Sequence, residues 1–311
     1  MNMPLTVDGL VALKHWGLIR ASGADAVAFL QGQLTNDVVT LGLSQARLAG
    51  FCSAKGRLQA SFVVWKLADD ELLLACAASV LPATLKRLSM FVLRAQCKLT
   101  DASAELRLLG AVGATATRWT NDLPVWARRE IEGGSVLRLP DVDAVPRALV
   151  ALDPALALPQ APALAPDAWR LLEVRSGVPF IEVATVDQFV PQMLNYEVVG
   201  GVDFQKGCYP GQEVVARSQY RGTIKRRMFL FECEVPVSAG QEVFHSGDAG
   251  QPAGMVVNAA PLLDRAGCAA LVEVKLAALE SGSLHVGAVD GAALRLGVLP
   301  YALPSEAALR A

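Results

Sequence analysis

The chain carries its most informative sequence at Lys206-Gly207-Cys208-Tyr209-Pro210-Gly211-Gln212-Glu213. Pro210 followed by Gly211 fits the two central positions of a type II turn, where glycine supplies the positive φ angle. Gly207 leaves the backbone before Cys208 without a side chain. We therefore expect the Cys208 thiol to lie on an exposed corner of backbone.

Cationic side chains lie near this thiol in the sequence. Lys206 is two residues before it, and a basic run follows, formed by Arg217, Arg221, Lys225, Arg226 and Arg227. Positive neighbours stabilise a thiolate, which is the form that attacks, binds soft metals or exchanges sulfur. A lone cysteine can equally be a small buried hydrophobic residue, but the glycine, proline and lysine setting favours a reactive thiol at Cys208.

Two interpretations remain open for the residues that follow. Gln212 and Glu213 either bind the polar edge of a ligand or simply cap the next element. The basic run is either the solvated face of a loop or an anion site for a glutamate tail or a phosphate. Tyr220 is its only interleaved aromatic residue, so a base-stacking surface for nucleic acid has little support.

Composition and charge exclude several classes of protein. Hydrophobic residues make up 53% of the 311-residue chain, enough for a large core in two or three domains. The net charge of −2 gives no global attraction to nucleic acid or to an acidic membrane. The most apolar stretch, residues 148–169, is interrupted by prolines and aspartates and is not expected to span a membrane. No signal peptide is predicted, so we expect a cytoplasmic protein without membrane contact.

Cysteine and histidine do not form a metal-binding pattern. The six cysteines are scattered without a CxxC pair, which indicates free thiols in a reducing compartment. The three histidines, His15, His245 and His285, are far apart, and we expect no metal site built from one chain. The chain also lacks a dinucleotide-binding GxGxxG, a P-loop and a GxSxG nucleophile elbow.

The order of predicted elements indicates an α+β fold. Apolar spacing predicts a strand followed by a helix within residues 17–34, a β-hairpin within 62–76 and a helix over 82–94. Strands and helices do not alternate regularly, which argues against a doubly wound parallel sheet.

The second half of the chain reads differently. An Ala/Pro-rich linker covers 151–166, a helix follows over 167–176, and the short strands from Phe229 onward predict a small barrel or sandwich. We divide the chain into region 1–228, with two α+β subdomains and an insert-like part at about 95–166, and a C-terminal β-barrel domain at 229–311.

Two tryptophans have alternative roles. Trp16 precedes the first strand, and Trp169 lies on the helix after the linker. Tryptophans are usually core residues. A flat heteroaromatic ligand also needs flat partners, and the chain has only five tryptophans.

Four blocks of sequence resemble the YgfZ family of folate-binding proteins. The octapeptide 206–213 resembles the signature of that family. It is accompanied by Phe29-Leu30-Gln31-Gly32-Gln33-Leu34-Thr35-Asn36-Asp37-Val38, Ala54-Lys55-Gly56-Arg57 and Arg221-Gly222-Thr223-Ile224-Lys225-Arg226. The resemblance, which extends from about Trp16 to Met228, implies a fold like that of the glycine cleavage T protein, a tetrahydrofolate-dependent aminomethyltransferase. In that fold several domains surround a central folate pocket.

The resemblance also implies a cofactor and a function. The cofactor is tetrahydrofolate or a related folate, and the function is support of iron–sulfur enzyme assembly or maintenance and of tRNA modification. The implied partners are iron–sulfur client proteins, among them the enzymes that thiomethylate tRNA. We expect a monomer that forms no stable nucleic-acid complex.

Site roles follow from the same resemblance. Cys208 is implied as the reactive thiolate, with Lys206 beside it. Trp16 and Trp169 are expected to stack on the pterin or the aminobenzoyl ring. The other expected folate contacts are Gln212, Glu213, Arg217 and Arg226, with the arginines at the glutamate tail.

One departure argues against glycine cleavage chemistry. The T protein carries an acidic pair on a strand where this chain holds Gln59-Ala60-Ser61. Without a carboxylate near the folate nitrogens, aminomethyl transfer lacks the group that manages proton and cation charge. We therefore expect folate binding without glycine cleavage. The alternatives are a tetrahydrofolate-dependent one-carbon transferase and a module that docks RNA through the basic run.

Overall fold

A computed structural model of the chain describes residues 7–220 and 224–304. These residues form two five-stranded antiparallel sheets, a closed six-stranded barrel, five α-helices and three short 3-10 helices. The prediction of an α+β fold with a C-terminal barrel is confirmed.

The first sheet is covered on both faces. In spatial order its strands are β3 (Ala46–Cys52), β4 (Leu58–Ala68), β5 (Glu71–Ala77), β2 (Trp16–Ser22) and β6 (Lys98–Asp101). Phe62 and Val64 of β4 pack in one apolar core with the helices α1 (Ala26–Gln31) and α2 (Leu81–Ser89), whereas Val63 and Trp65 pack in another. Successive side chains of a strand point to opposite faces. The nearly unbroken apolar run that predicted this hairpin is what a sheet buried on both sides requires.

The second sheet joins the N-terminal strand to the middle of the chain. In spatial order it contains β1 (Gly9–Ala12), β7 (Arg107–Val112), β10 (Val145–Leu152), β9 (Gly134–Val142) and β8 (Arg128–Ile131), with α3 (Ala114–Thr120) packed against it. The end of the predicted linker adds to its edge, because Leu10 donates to the Pro162 carbonyl and Leu164 donates to the Leu10 carbonyl, both at 2.9 Å.

Helix α4 (Pro166–Arg175) shares one apolar core with residues of this second sheet and of the C-terminal barrel. It follows the linker as predicted and stops before Gly177, whose φ of +66° is one that glycine adopts without strain. Its Trp169 indole lies on the backbone of Gly110 in β7, where a Cβ atom would come within 2.4 Å of the ring. A residue without a side chain at position 110 lets the indole reach the sheet.

The barrel closes the chain. Its strands in spatial order are β11 (Arg226–Cys233), β14 (Cys268–Lys275), β13 (Gly254–Pro261), β12 (Glu242–His245), β15 (Leu284–Val286) and β16 (Ala293–Leu296). Helix α5 (Gln212–Tyr220) precedes it, and the 3-10 helices span Val183–Thr185, Pro191–Leu194 and Leu276–Leu279. The domain division at residue 228 and the insert-like part at 95–166 stay predictions.

The predicted extent of α2 was wrong. The helix ends at Ser89 instead of near Arg94, and the segment after it forms a turn. Leu93 has a φ of +40°, which is outside the right-handed helical region. Val92 is half-buried and packs on the core while Leu93 faces solvent, so the apolar spacing that suggested a longer helix arises from a turn.

Two further findings bear on function. Over residues 7–220 and 224–304, no helix combines the length and apolar character needed to cross a membrane. Over the same residues, His, Cys, Asp and Glu side chains form no group of three or more that could hold a metal ion.

Candidate functional site

A cavity that is partly open to solvent lies where the two sheets meet α4. Its volume is about 520 Å³ when the solvent at its mouth is included. Its walls are mostly apolar and aromatic, and they include Trp16, Trp126, Trp169, Phe180, Arg147 and Glu173. The structure thus brings together the two tryptophans that the sequence singled out, although they are 153 positions apart in the chain.

A single carboxylate holds both indoles. The Nε1 groups of Trp16 and Trp169 donate to the same oxygen, Oε1 of Glu173, at 2.7 and 2.6 Å. The other oxygen, Oε2, lies 2.9 Å from Nε2 of His15. Each buried donor has a partner, so the orientation of both rings is fixed before any ligand arrives.

Sequence reasoning missed Glu173. A usable signal was present, because residues four apart on a helix share a face, and Glu173 follows Trp169 by four positions on a helix that the sequence predicted. The partner at Trp16 is distant in sequence and could not be read from any local pattern.

The two tryptophans present different surfaces to the cavity. Trp16 stacks on Phe180, with ring centroids 4.6 Å apart and planes 30° apart. Trp169 is fully buried, packed on Gly110 and covered by the guanidinium of Arg147 at 5.6 Å from the ring centroid. Trp169 therefore supports the wall behind Arg147 instead of offering a free face.

Arg147 is the buried cation of this cavity. It extends from β10, is 3% exposed and donates from Nε to the Pro140 carbonyl at 3.1 Å. In the described part of the chain that is the one hydrogen bond of its guanidinium. Burial lowers the pKa of Arg147 to about 10, while the nearby Glu173 carboxylate acts in the opposite direction. The side chain is still charged at neutral pH, and its terminal nitrogens can donate to an acceptor in the cavity.

The wall contains no acidic pair on β4. Gln59-Ala60-Ser61 lies on that strand, and Ser61 lines the cavity while its Oγ accepts from the Ile181 amide at 2.9 Å. The carboxylate of the site comes from α4 instead, as Glu173, and it is engaged with two indoles and a histidine.

The predicted turn at Pro210-Gly211 is confirmed. Gly211 has a φ of +79°, and the Gln212 amide donates to the Tyr209 carbonyl at 3.2 Å. A Cβ atom at Gly211 would lie 2.4 Å from the Ser53 carbonyl oxygen. We call residues 206–213 the signature loop. The glycine at 211 allows this loop to pack against the turn at residues 53–57, which contains the family-like block 54–57.

Cys208 is exposed, as the turn predicted. Gly207 beside it also faces open space, since a Cβ atom there would meet nothing within 4 Å.

Lys206 points inward, away from solvent. It is 7% exposed, and its Nζ donates to the carbonyls of Leu34, at 2.6 Å, and of Gln31. Burial lowers its pKa to about 8, against the opposing effect of Asp37, Asp203 and the Cys208 thiolate. Lys206 thus connects the signature loop to residues 31–34, which belong to the family-like block at 29–38.

The basic run is divided between internal ion pairs and a solvated helix. Nη1 of Arg226 lies 2.8 and 2.6 Å from the two carboxylate oxygens of the buried Glu273. Arg227, 3% exposed, pairs with Glu197. Burial raises the pKa of both carboxylates, and the arginines act against that shift. These two arginines are thus engaged in ion pairs within the protein, and the role of Arg226 toward a ligand stays a prediction.

The other predicted contacts lie apart from the cavity. Gln212 and Glu213 begin α5, and Arg217 is exposed on it. Arg221 lies outside the described residues. Of the predicted site residues, the cavity wall includes Trp16 and Trp169; Cys208, Lys206, Gln212, Glu213, Arg217 and Arg226 are not part of it.

A second cleft borders the cavity. The cleft shares Leu48 and Trp126 with the cavity wall, and its lining extends to Gly200 and Asp203. Asp203 in turn caps the start of the signature loop, because its Oδ1 accepts from the Lys206 amide at 3.2 Å.

Comparison with known proteins finds similar sequences and a similar fold. The sequence profile of the GCVT N-terminal domain matches residues 6–127. The chain is 32% identical to the tRNA-modifying protein YgfZ of Sodalis glossinidius, covering 97% of this chain and 94% of that protein. It is 32% identical to the protein of the same name from Edwardsiella ictaluri, covering 85% and 82%. The glycine cleavage system aminomethyltransferase T from Bartonella henselae has a TM-score of 0.75 over 94% of this chain and 86% of that protein, at 17% identity, which establishes the fold alone.

Proposed function

Because this chain belongs to the YgfZ family of tRNA-modifying proteins, we propose that it binds a reduced folate in the aromatic cavity and supports iron–sulfur enzymes of tRNA modification through Cys208. The observation that carries the folate proposal is the shared oxygen of Glu173, which fixes two indoles on the wall of one cavity. A preorganised aromatic wall with a few polar groups is typical of a small-molecule site.

The wall of the cavity offers groups that suit the chemistry of a folate. Trp16 backed by Phe180 offers a flat wall to a pterin or an aminobenzoyl ring. Arg147 offers charged donors to a carbonyl or carboxylate of the ligand. In this arrangement the folate tail has no partner in Arg226, which is held by Glu273.

Cys208 is the group that we propose to act on clients. Its exposure suits a thiolate that ligates iron or exchanges sulfur with another protein. One thiolate cannot hold a stable cluster, which usually needs about four ligands. Any cluster at Cys208 would therefore be shared with a client.

A one-carbon transferase is the second candidate. The carboxylate of Glu173 in the cavity wall favours it. Three hydrogen-bonding partners already engage that carboxylate, which leaves it poorly placed to manage a proton of the substrate. Turnover of a methylamine donor with tetrahydrofolate would favour the transferase over the accessory role.

The thiol proposal is tested in cells. A bacterial strain lacking its own YgfZ protein is complemented with the parent chain, Cys208→Ala or Cys97→Ala, a partly exposed thiol elsewhere in the protein. We expect Cys208→Ala to abolish tRNA thiomethylation and iron–sulfur enzyme activity, and Cys97→Ala to preserve both. Full activity with Cys208→Ala would show that the thiol has no such role.

A further inference from the structure

Three large apolar side chains are exposed together at the end of α2. Met90 is 67% exposed, Phe91 44% and Leu93 88%. We call residues 90–93 the tip. Single exposed apolar residues are ordinary on a protein surface, but a cluster of them marks an interaction site or an aggregation liability.

The backbone holds this cluster outward. Leu93 has a φ of +40°, a strained conformation that bulky side chains rarely adopt. The Ala95 amide donates to the Val92 carbonyl at 2.8 Å and closes the turn around it. Strained backbone that presents a leucine to water is unfavourable for folding on two counts, and such features tend to persist at functional sites.

The surroundings of the tip are cationic. Its exposed basic neighbours are Lys86, Arg87, Arg94 and Lys98. No acidic residue occurs in the sequence between Glu71 and Asp101. Among the residues that the structure describes, none of these four cations takes part in a salt bridge. The four cations and the Asp25 carboxylate, which lies 2.7 Å from the Gln96 amide, give a local charge of about +3 on a chain whose net charge is −2.

Gln96, three residues after the tip, and Lys206 of the signature loop contact opposite ends of the same short helix. At the start of α1, Asp25 Oδ2 accepts from the Gln96 amide at 2.7 Å, and the Asp25 amide donates to the Gln96 carbonyl at 3.0 Å. Past its end, Lys206 binds the carbonyls of Gln31 and Leu34. Six helical residues rise about 9 Å. A protein interface of about 800 Å² per partner is wide enough to cover the tip and reach toward Cys208.

We propose that the tip is the docking site of a protein partner that presents an apolar pocket rimmed with carboxylates. Aromatic, methionine and arginine side chains are enriched at protein interfaces, and a projecting apolar side chain suits an anchor in a partner's pocket. The attachment of the tip to the same helix as the Cys208 loop favours a protein over a lipid surface. The inference rests on the proposed function, since the partner is the iron–sulfur client that Cys208 serves.

The test measures binding to one purified client, a tRNA-thiomethylating iron–sulfur enzyme from the same cell. Two tip variants are compared with the parent: Phe91→Ser with Leu93→Ser, and Lys86→Glu with Arg87→Glu and Arg94→Glu. Val298→Ser is the control, because Val298, just after the last barrel strand, is 86% exposed. We expect each tip variant to weaken binding at least tenfold, the parent affinity to fall as salt is raised, and Val298→Ser to bind as the parent does.

Two further measurements test whether the tip variants fold and whether the tip binds a membrane instead of a protein. Tetrahydrofolate titration should give parental affinity for every tip variant, which separates lost docking from lost folding. Parental binding of the client by both tip variants, or no binding by the parent, would overturn the proposal. So would tip-dependent binding to phosphatidylglycerol vesicles without an effect on the client.

Cys208→Ala separates this inference from the proposed function. That variant should bind the client as the parent does while failing to support it in cells. If Cys208→Ala supports the client fully but the tip variants do not bind it, the thiol role fails and the docking site stands.

Discussion

Removal of the Glu173 carboxylate should weaken both the fold and the ligand cavity. In Glu173→Ala the Nε1 groups of Trp16 and Trp169 lose their common acceptor. A buried donor left without a partner costs about 1–3 kcal/mol. Two such donors give a loss of about 2–6 kcal/mol. The Glu173 side chain is 18% exposed, so in the variant water can reach the two Nε1 groups, and the loss should lie in the lower part of this range.

Urea unfolding and folate titration measure the two effects. We expect the urea midpoint of Glu173→Ala to fall by the equivalent of about 2–4 kcal/mol, with weaker tetrahydrofolate binding. Glu173→Gln keeps an acceptor oxygen and should lose about 1 kcal/mol or less. Asp167→Ala on the same helix is the matched control and should lose at most about 1 kcal/mol, from its place in the first turn. A midpoint for Glu173→Ala equal to that of Asp167→Ala would refute the idea that this carboxylate organises the wall.

Three other predictions address separate parts of the structure. In urea titrations, Gly211→Ala should lower the free energy of unfolding by about 1–3 kcal/mol, because position 211 has a positive φ and a Cβ atom there would lie 2.4 Å from the Ser53 carbonyl oxygen. The control Gly207→Ala should be nearly neutral, and equal urea midpoints for the two variants would contradict the packing of this turn. Arg147→Met should weaken tetrahydrofolate binding by about 1.5–3 kcal/mol, roughly 10- to 150-fold by calorimetry. The control Arg138→Met, on β9, should bind with parental affinity. An unchanged affinity in Arg147→Met would show that its guanidinium does not contact the ligand. The pKa of Lys206 is about 8 in the fold, below the ordinary lysine value of 10.5, so the unfolded chain binds more protons between these pH values and the free energy of unfolding should rise with pH across that window. The difference in free energy of unfolding between the parent and Lys206→Met isolates this rise, and a difference that does not change with pH would contradict burial of the ammonium.

Local chemistry made part of this structure predictable. The hairpin at β4 and β5, the start and end of α4 and the turn at Pro210-Gly211 all follow from patterns within a few residues of each other. The barrel was predictable from the spacing of its strands. The end of α2 was not, because Val92 and Leu93 continue an apolar pattern that only the turn's φ angle interrupts.

The features that could not be predicted depend on ion pairs and hydrogen bonds between residues far apart in the sequence. Arg226 and Arg227 look like part of a solvated basic run, yet their carboxylates, Glu273 and Glu197, are 47 and 30 residues away. Glu173 and Trp16 meet across 157 positions. Arg147 had no local pattern to mark it as the buried cation of the cavity. A family resemblance located the two tryptophans, but only the packing of α4 on the two sheets shows which groups hold them.

Fluorescence titration with tetrahydrofolate tests the central claim most directly. The parent and Trp119→Phe, which removes a tryptophan outside the cavity wall, should show the same saturable quenching. Trp16→Ala should lose part of that quenching, since Trp126 and Trp169 also line the cavity, and should bind about 0.5–1.5 kcal/mol more weakly, the value of one aromatic contact. Quenching and affinity in Trp16→Ala equal to those of the parent, or no binding by the parent at all, would contradict the assignment of this cavity to a folate.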